Sequence, residues 1–215
     1  MDLALENGRK WRRLGLMGGT FDPIHLGHLV VAEEARERFG LDRVLFVPNG
    51  QPPHKQGRKV AAAEHRYTMC LLATADNPAF AVTRVETDRE GPSYTIDTIH
   101  AFRAQLGPDV ELYFITGADA VLEILTWRSP DAILSECHVV AAHRPGFDLA
   151  RLEPVLGPDR ARKVQAMALP ALDISSTDIR QRVVEGRSVR YLTMPAVEGY
   201  LGKTGLYRAE EQEKG

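Results

Sequence analysis

Apolar and polar positions along the chain fall into two rhythms that alternate. Short apolar runs, LGLM at 14–17, VLFV at 44–47, FAV at 80–82, ELYFI at 111–115 and HVVA at 138–141, have the length and composition of buried strands. Between them, residues 26–39, 64–75 and 94–106 repeat their apolar positions at helical spacing, and a further helix is expected after Asp119. A last strand is expected at 164–168, and 177–201 reads as helical. Residues 51–59 carry prolines and basic side chains without any period, which predicts a long loop. Strands alternating with helices imply right-handed βαβ crossovers, and so an α/β fold with a mostly parallel sheet covered by helices on both faces. In such folds a ligand lies beyond the carboxyl ends of the strands.

The 215 residues suffice for a single domain with a sizeable core, expected at about 12–207 between an N-terminal extension and a charged C-terminal tail. Charge narrows the partners. With 27 Lys and Arg against 29 Asp and Glu the net charge is -2, so no global field favours nucleic acid or a membrane surface, and any anion site must be local. Cys70 and Cys137 are far apart and read as buried thiols of a reduced protein. No apolar run approaches the roughly 20 residues that cross a bilayer, and the first residues lack an apolar signal core, so a cytoplasmic location is expected. The composition leaves assembly into a homo-oligomer open.

The chemistry concentrates where the first strand meets the first helix. Gly18 and Gly19 let backbone approach a ligand, and the helix beyond presents unpaired N–H groups and a positive dipole end. His25 and His28, three residues apart at that helix start, would face the same way and suit a phosphate that gains charge during displacement. A cap and a surface residue are the plainer account of an isolated H-x-x-H. Zinc is a weaker fit, because no nearby Cys or carboxylate completes a ligand set. A dinucleotide-type G-x-G-x-x-G is absent, and Gly202-Lys203-Thr204 has Val197 where a P-loop requires glycine.

Further elements stand at strand ends and helix starts. Gly117 and Asp119 follow the strand ending near Ile115, where Asp119 reaches the ligand crevice or simply caps the next helix. Ser175, Ser176, Thr177 and Arg180 combine hydroxyls, helix N–H groups and a guanidinium, a set that can clamp phosphates or merely cap. His54 and Lys55, on a proline-stiffened loop, and the helix start at Tyr94 and Thr95 offer contacts to an anionic acceptor. Trp127 could stack a flat ring or pack into the core.

The string GGTFDPIHLGH at a strand-to-helix junction resembles the signature of the nucleotidyltransferase superfamily with the T/H-x-G-H motif. Taken with VPNGQPPHK, SYTIDT, ITGAD followed by LTW, HRPG and ISSTDIR, the chain is similar over about 14–207 to the nicotinate-nucleotide adenylyltransferases of bacterial type. That resemblance implies a Rossmann-like nucleotidyltransferase fold, Mg²⁺ brought with ATP, and ATP and nicotinate mononucleotide as substrates. It implies that His25, His28 and Arg180 act on the phosphates. Gly18, Gly19, Thr20, Phe21, Gly117, Asp119, Ser176 and Thr177 would hold ATP, and His54, Lys55, Tyr94, Thr95, Trp127 and Arg144 the acceptor. Pantetheine-phosphate adenylyltransferases, the runner-up, share the first-loop motif but lack the PPHK and LTW features. A dual-specificity enzyme that also takes nicotinamide mononucleotide is an alternative, and a silent nucleotide sensor would not need both histidines and Arg180.

Overall fold

The computed structural model describes residues 11–51 and 60–208. Six strands, β1 (Arg13–Gly19), β2 (Arg43–Pro48), β3 (Phe80–Val82), β4 (Glu111–Gly117), β5 (His138–His143) and β6 (Val164–Ala168), form one sheet in the order β3-β2-β1-β4-β5-β6 with every pair parallel. This is the Rossmann-like order. Because the chain leaves β1 toward β2 and later crosses back to β4, the connections diverge between β1 and β4 and open a crevice at their carboxyl ends.

The strand side chains alternate between two cores, as a period of two requires. Met17, Phe46, Ile115, Val140 and Met167 point to one face and pack with helices α1 (Leu26–Phe39), α2 (Ala63–Thr74), α8 (Ser176–Val184) and α9 (Pro195–Thr204). Leu14, Leu16, Leu45, Val47, Leu112, Phe114 and Val139 point to the other, against α3 (Thr95–Leu106), α4 (Ala118–Leu122), α5 (Pro130–Glu136) and α6 (Leu152–Leu156). A one-turn helix, α7 (Pro158–Ala161), precedes β6. Cys70 and Cys137 are buried free thiols, and burial pushes both pKa values up, Cys137 to about 12. Among the described residues no helix is long and apolar enough to cross a membrane.

The expected elements lie within a few residues of the observed ones, with one correction. Residues 177–201 are not one helical stretch. Helix α8 stops at Val184 because Gly186 turns left-handed (φ 68°), and Pro195, which lacks an N–H to donate to a preceding turn, can only open α9. The irregular residues between them carry contacts to the first loop.

Candidate active site

The first loop, from Thr20 to His25, joins β1 to α1 at the crevice. His25 is the N-cap of α1 in extended conformation (φ -147°, ψ 170°). Its N–H donates to Nδ1 of His28 at 3.2 Å, while the N–H of His28 donates to the carbonyl of His25 at 2.9 Å. A backbone donor at Nδ1 places the proton of a neutral His28 on Nε2, so that nitrogen is the free donor. The two imidazoles stack at 3.7 Å between centroids. Phe21, left-handed at φ 50°, buries its ring and sets an edge against His28 at 5.0 Å, so its side chain supports an imidazole from below. Gly27 leaves room for the pair: a Cβ there would stand 3.0 Å from His25 Nδ1.

His25 is only 7% exposed, and its Nδ1 is the one buried side-chain nitrogen or oxygen among the described residues without a hydrogen-bond partner. Burial, helped by the positive charge of Arg144, lowers its pKa to about 4. Burial and the neighbouring His25 hold His28 well below the usual imidazole range. Near neutral pH the site therefore presents two uncharged imidazoles over a helix N-terminus, an arrangement of oriented donors and dipoles for an anion.

The histidines open on a cleft of about 550 Å³. Gly18, His25 and His28, Gly117 and Asp119 at the end of β4, and Arg144 and Ser176 all line it. Asp119 is exposed at the rim. Arg144 donates to Asp173 at 2.7 Å and to the carbonyl of Ile174 at 3.2 Å, tying the end of β5 to the approach to α8. It lines the cleft together with His25 and Ser176. A larger cleft, about 880 Å³, follows edge strand β3 and contains none of the expected site residues.

At α8 the Ser175 hydroxyl caps the N–H of Asp178 at 3.1 Å. The Ser176 hydroxyl donates to the carbonyl of Pro23 at 2.8 Å, so its proton is already committed and its offer to an anion is the backbone N–H of the first turn. Arg180 donates to the Asp22 carbonyl at 2.6 Å and to the hydroxyl of Thr177 at 3.2 Å. Neither Arg180, Thr177 nor the Gly19-Thr20-Phe21 segment lines the cleft directly.

Three residues outside the expected set hold the first loop. Arg66, on α2 and 1% exposed, donates to the carbonyls of Ala61 (2.9 Å), Thr20 (2.9 Å) and Gly50 (3.0 Å) and to Asn49 Oδ1 (3.2 Å). One guanidinium thereby fastens the exits of β1 and β2 to the start of α2. Asp22 is buried and accepts from the Tyr207 hydroxyl at 2.6 Å and from the Ala61 N–H at 3.2 Å. The Thr193 hydroxyl donates to the Ile24 carbonyl at 2.9 Å, so the carbonyls of Asp22, Pro23 and Ile24 are each capped from the last fifth of the chain. A signal for Arg66 existed in the sequence. It sits in register with Met69, Cys70 and Ala73 on the buried face of α2, where a charge demands partners.

The residues expected at the acceptor do not all gather in the cleft. Trp127 packs edge-on against Phe114 at 5.9 Å between centroids, and a Cβ on Gly18 would lie 3.1 Å from that same Phe114 ring. Tyr94 caps α3 under the guanidinium of Arg128, which lies 5.0 Å from the ring centroid, and Thr95 opens the helix. Tyr94 and Trp127 are partly buried against the core that packs on α3 and α5. His54 and Lys55 lie outside the described residues. Among the described residues no group of three His, Cys, Asp or Glu side chains is placed to hold a metal ion.

Residues 16–182 match the model of the cytidylyltransferase-like family. A Moorella thermoacetica protein named "Probable nicotinate-nucleotide adenylyltransferase" is 58% identical over 211 residues, 97% of this chain and 95% of the relative. One of the same name from Thermoanaerobacter sp. is 54% identical, covering 93% and 96%. Among solved structures, the nicotinic acid mononucleotide adenylyltransferase of Plasmodium falciparum, complexed with NaAD, superposes with a TM-score of 0.73 at 18% identity, covering 91% of this chain and 97% of that one.

Proposed function

Since the chain belongs to the cytidylyltransferase-like family and, within it, to the nicotinate-nucleotide adenylyltransferases, we propose that it transfers the adenylyl group of ATP to nicotinate mononucleotide. The products are nicotinate adenine dinucleotide and pyrophosphate, in NAD biosynthesis, and we place the enzyme in the cytoplasm. The observation that carries this reading is the stacked, neutral pair His25 and His28 at the N-terminus of α1, opening on the cleft between β1 and β4.

The 5′-phosphate oxygen of the acceptor attacks the α-phosphorus of ATP, the bond to the bridging oxygen breaks, and pyrophosphate leaves with the electron pair. No protein nucleophile is required, so positioning and charge stabilisation carry the step. The Nε2–H of His28 and the imidazole of His25 meet the α-phosphate as its oxygens gain charge. Backbone at Gly18, Gly19, Thr20 and Phe21 and the rim at Gly117 and Asp119 hold the nucleotide. The first turn of α8, at Ser176 and Thr177, with Arg180, receives the leaving pyrophosphate. Mg²⁺ brought with ATP would lower the net charge of the phosphates, while the donors around the cleft, imidazole, N–H and guanidinium, would meet the phosphate oxygens. Arg144, which lines the same cleft as His25 and Ser176, is assigned to the acceptor.

The acceptor ring lies toward Tyr94, Thr95 and Trp127, with His54 and Lys55 assigned to its phosphate. Helix α3 begins at Thr95, and a helix start offers a ring substituent backbone N–H donors and no carbonyl, which favours a carboxylate over a carboxamide. Pyrophosphate release measured in parallel with nicotinate mononucleotide, nicotinamide mononucleotide and phosphopantetheine tests the reading. Strong release with the first alone is expected. Release with phosphopantetheine alone would overturn every acceptor assignment.

A further inference from the structure

Tyr207 lies beyond the residues matched by the family model, close to the end of the described chain, yet its hydroxyl reaches the first loop. It donates to Asp22 Oδ1 at 2.6 Å, and burial beside that carboxylate pushes the pKa of the hydroxyl far up, which keeps it a proton donor. Asp22 Oδ2 is 3.7 Å from Nη1 of Arg180, while that nitrogen's hydrogen bond goes to the Asp22 backbone carbonyl at 2.6 Å. Asp22 is 5% exposed, and the groups beside its carboxylate are the Tyr207 hydroxyl, the Ala61 N–H and Arg180.

We propose that Tyr207 is a positioning residue for adenylyl transfer: by engaging the Asp22 carboxylate it keeps the guanidinium of Arg180 from collapsing into a closed ion pair and leaves it available to the distal phosphates of ATP. The inference rests on the phosphate role of Arg180 stated above. Without the hydroxyl, Oδ1 retains only the Ala61 N–H. A buried carboxylate short of donors turns toward the nearest cation, and that cation is Arg180. The closed pair would withdraw the guanidinium from the leaving group without touching the acceptor side.

The Tyr207→Phe substitution removes one oxygen and keeps the ring in place. Binding of Mg²⁺-pyrophosphate and of a non-hydrolysable ATP analogue is measured by calorimetry, so the outcome does not depend on which acceptor the enzyme takes. Affinity for both is expected to fall about tenfold, with the KM for nicotinate mononucleotide within about twofold of the parent and a melting curve that stays cooperative. The discriminating variant is Asp22→Asn in the Tyr207→Phe background. It removes the charge that captures Arg180 and is expected to restore most of the lost affinity, whereas a merely structural contact would give a second loss on top of the first. Parental affinity in the Tyr207→Phe variant, or a further loss in the double variant, would overturn the proposal. Absence of turnover with nicotinate mononucleotide in the parent would instead overturn the acceptor and leave the binding comparison intact.

Discussion

At the scale of the residue, the site depends on keeping one imidazole dry and unprotonated. His25 has an unperturbed value of 6.5 and about 4 in the folded chain. The folded state therefore binds fewer protons than the unfolded one across that interval, so the contribution of His25 to stability is fully present above pH 6.5 and is lost as pH falls toward 4. Between pH 7 and pH 4.5 the loss amounts to about 2–3 kcal/mol. Urea unfolding at those two pH values is expected to show this drop, and His25→Gln to reduce it by about the same amount; an equal drop in both proteins would contradict the assignment. Gly27 makes a second test, because alanine there adds a Cβ 3.0 Å from His25 Nδ1 while improving helix propensity by up to about 1 kcal/mol. Gly27→Ala should melt no lower than the parent yet release pyrophosphate at least about tenfold more slowly.

At the scale of the element, strands and helices were legible because their apolar spacing is a local property. The runs at β1, β2, β4 and β5 are nearly continuous, as a sheet covered on both faces demands, and the junction of β1 with α1 carried its chemistry in a short string. What escaped was the joining of elements. Apolar positions continue at helical spacing through 177–201, and only the backbone preferences of Gly186 and Pro195 divide that stretch. Asp22 looked like part of a motif, but its partner Tyr207 is 185 residues away and no local pattern announces it. Arg66 did carry a signal, a charge at core spacing on α2, and its weight can be measured. Arg66→Met leaves three backbone carbonyls and Asn49 without their donor, which should cost about 3 kcal/mol or more and move the urea midpoint down by about 1 M or more. A midpoint within error of the parent would show that the four bonds are not needed to hold the two loops.

At the scale of the whole molecule, one sheet separates two cores: one is closed by α1, α2, α8 and α9, from the two ends of the chain, and the other by α3 to α6, from its middle. Val197 and Leu201, on α9, are at most 3% exposed and pack with Met69, Cys70 and Ile179. The family model ends at residue 182, but the fold does not. Truncation after Val184 would open one face of the sheet and uncap Ile24, and such a protein is expected to lose its cooperative thermal transition, while the full chain unfolds in a single step by both fluorescence and circular dichroism. A truncated chain that still melted cooperatively would show that α9 is dispensable.

The supports of the first loop also set a timetable. Its carbonyls and its carboxylate wait for Ser176, Arg180, Thr193 and Tyr207, which follow 153, 158, 169 and 185 residues later in the chain. A ribosome adding about 5–20 residues per second needs on the order of ten seconds or more to cover that distance. Through that interval the first loop has been synthesised, but the partners of its carbonyls and carboxylate have not. Under the nucleotide role proposed for this loop, affinity would arrive only with these late residues, and a chain released early would not sequester ATP.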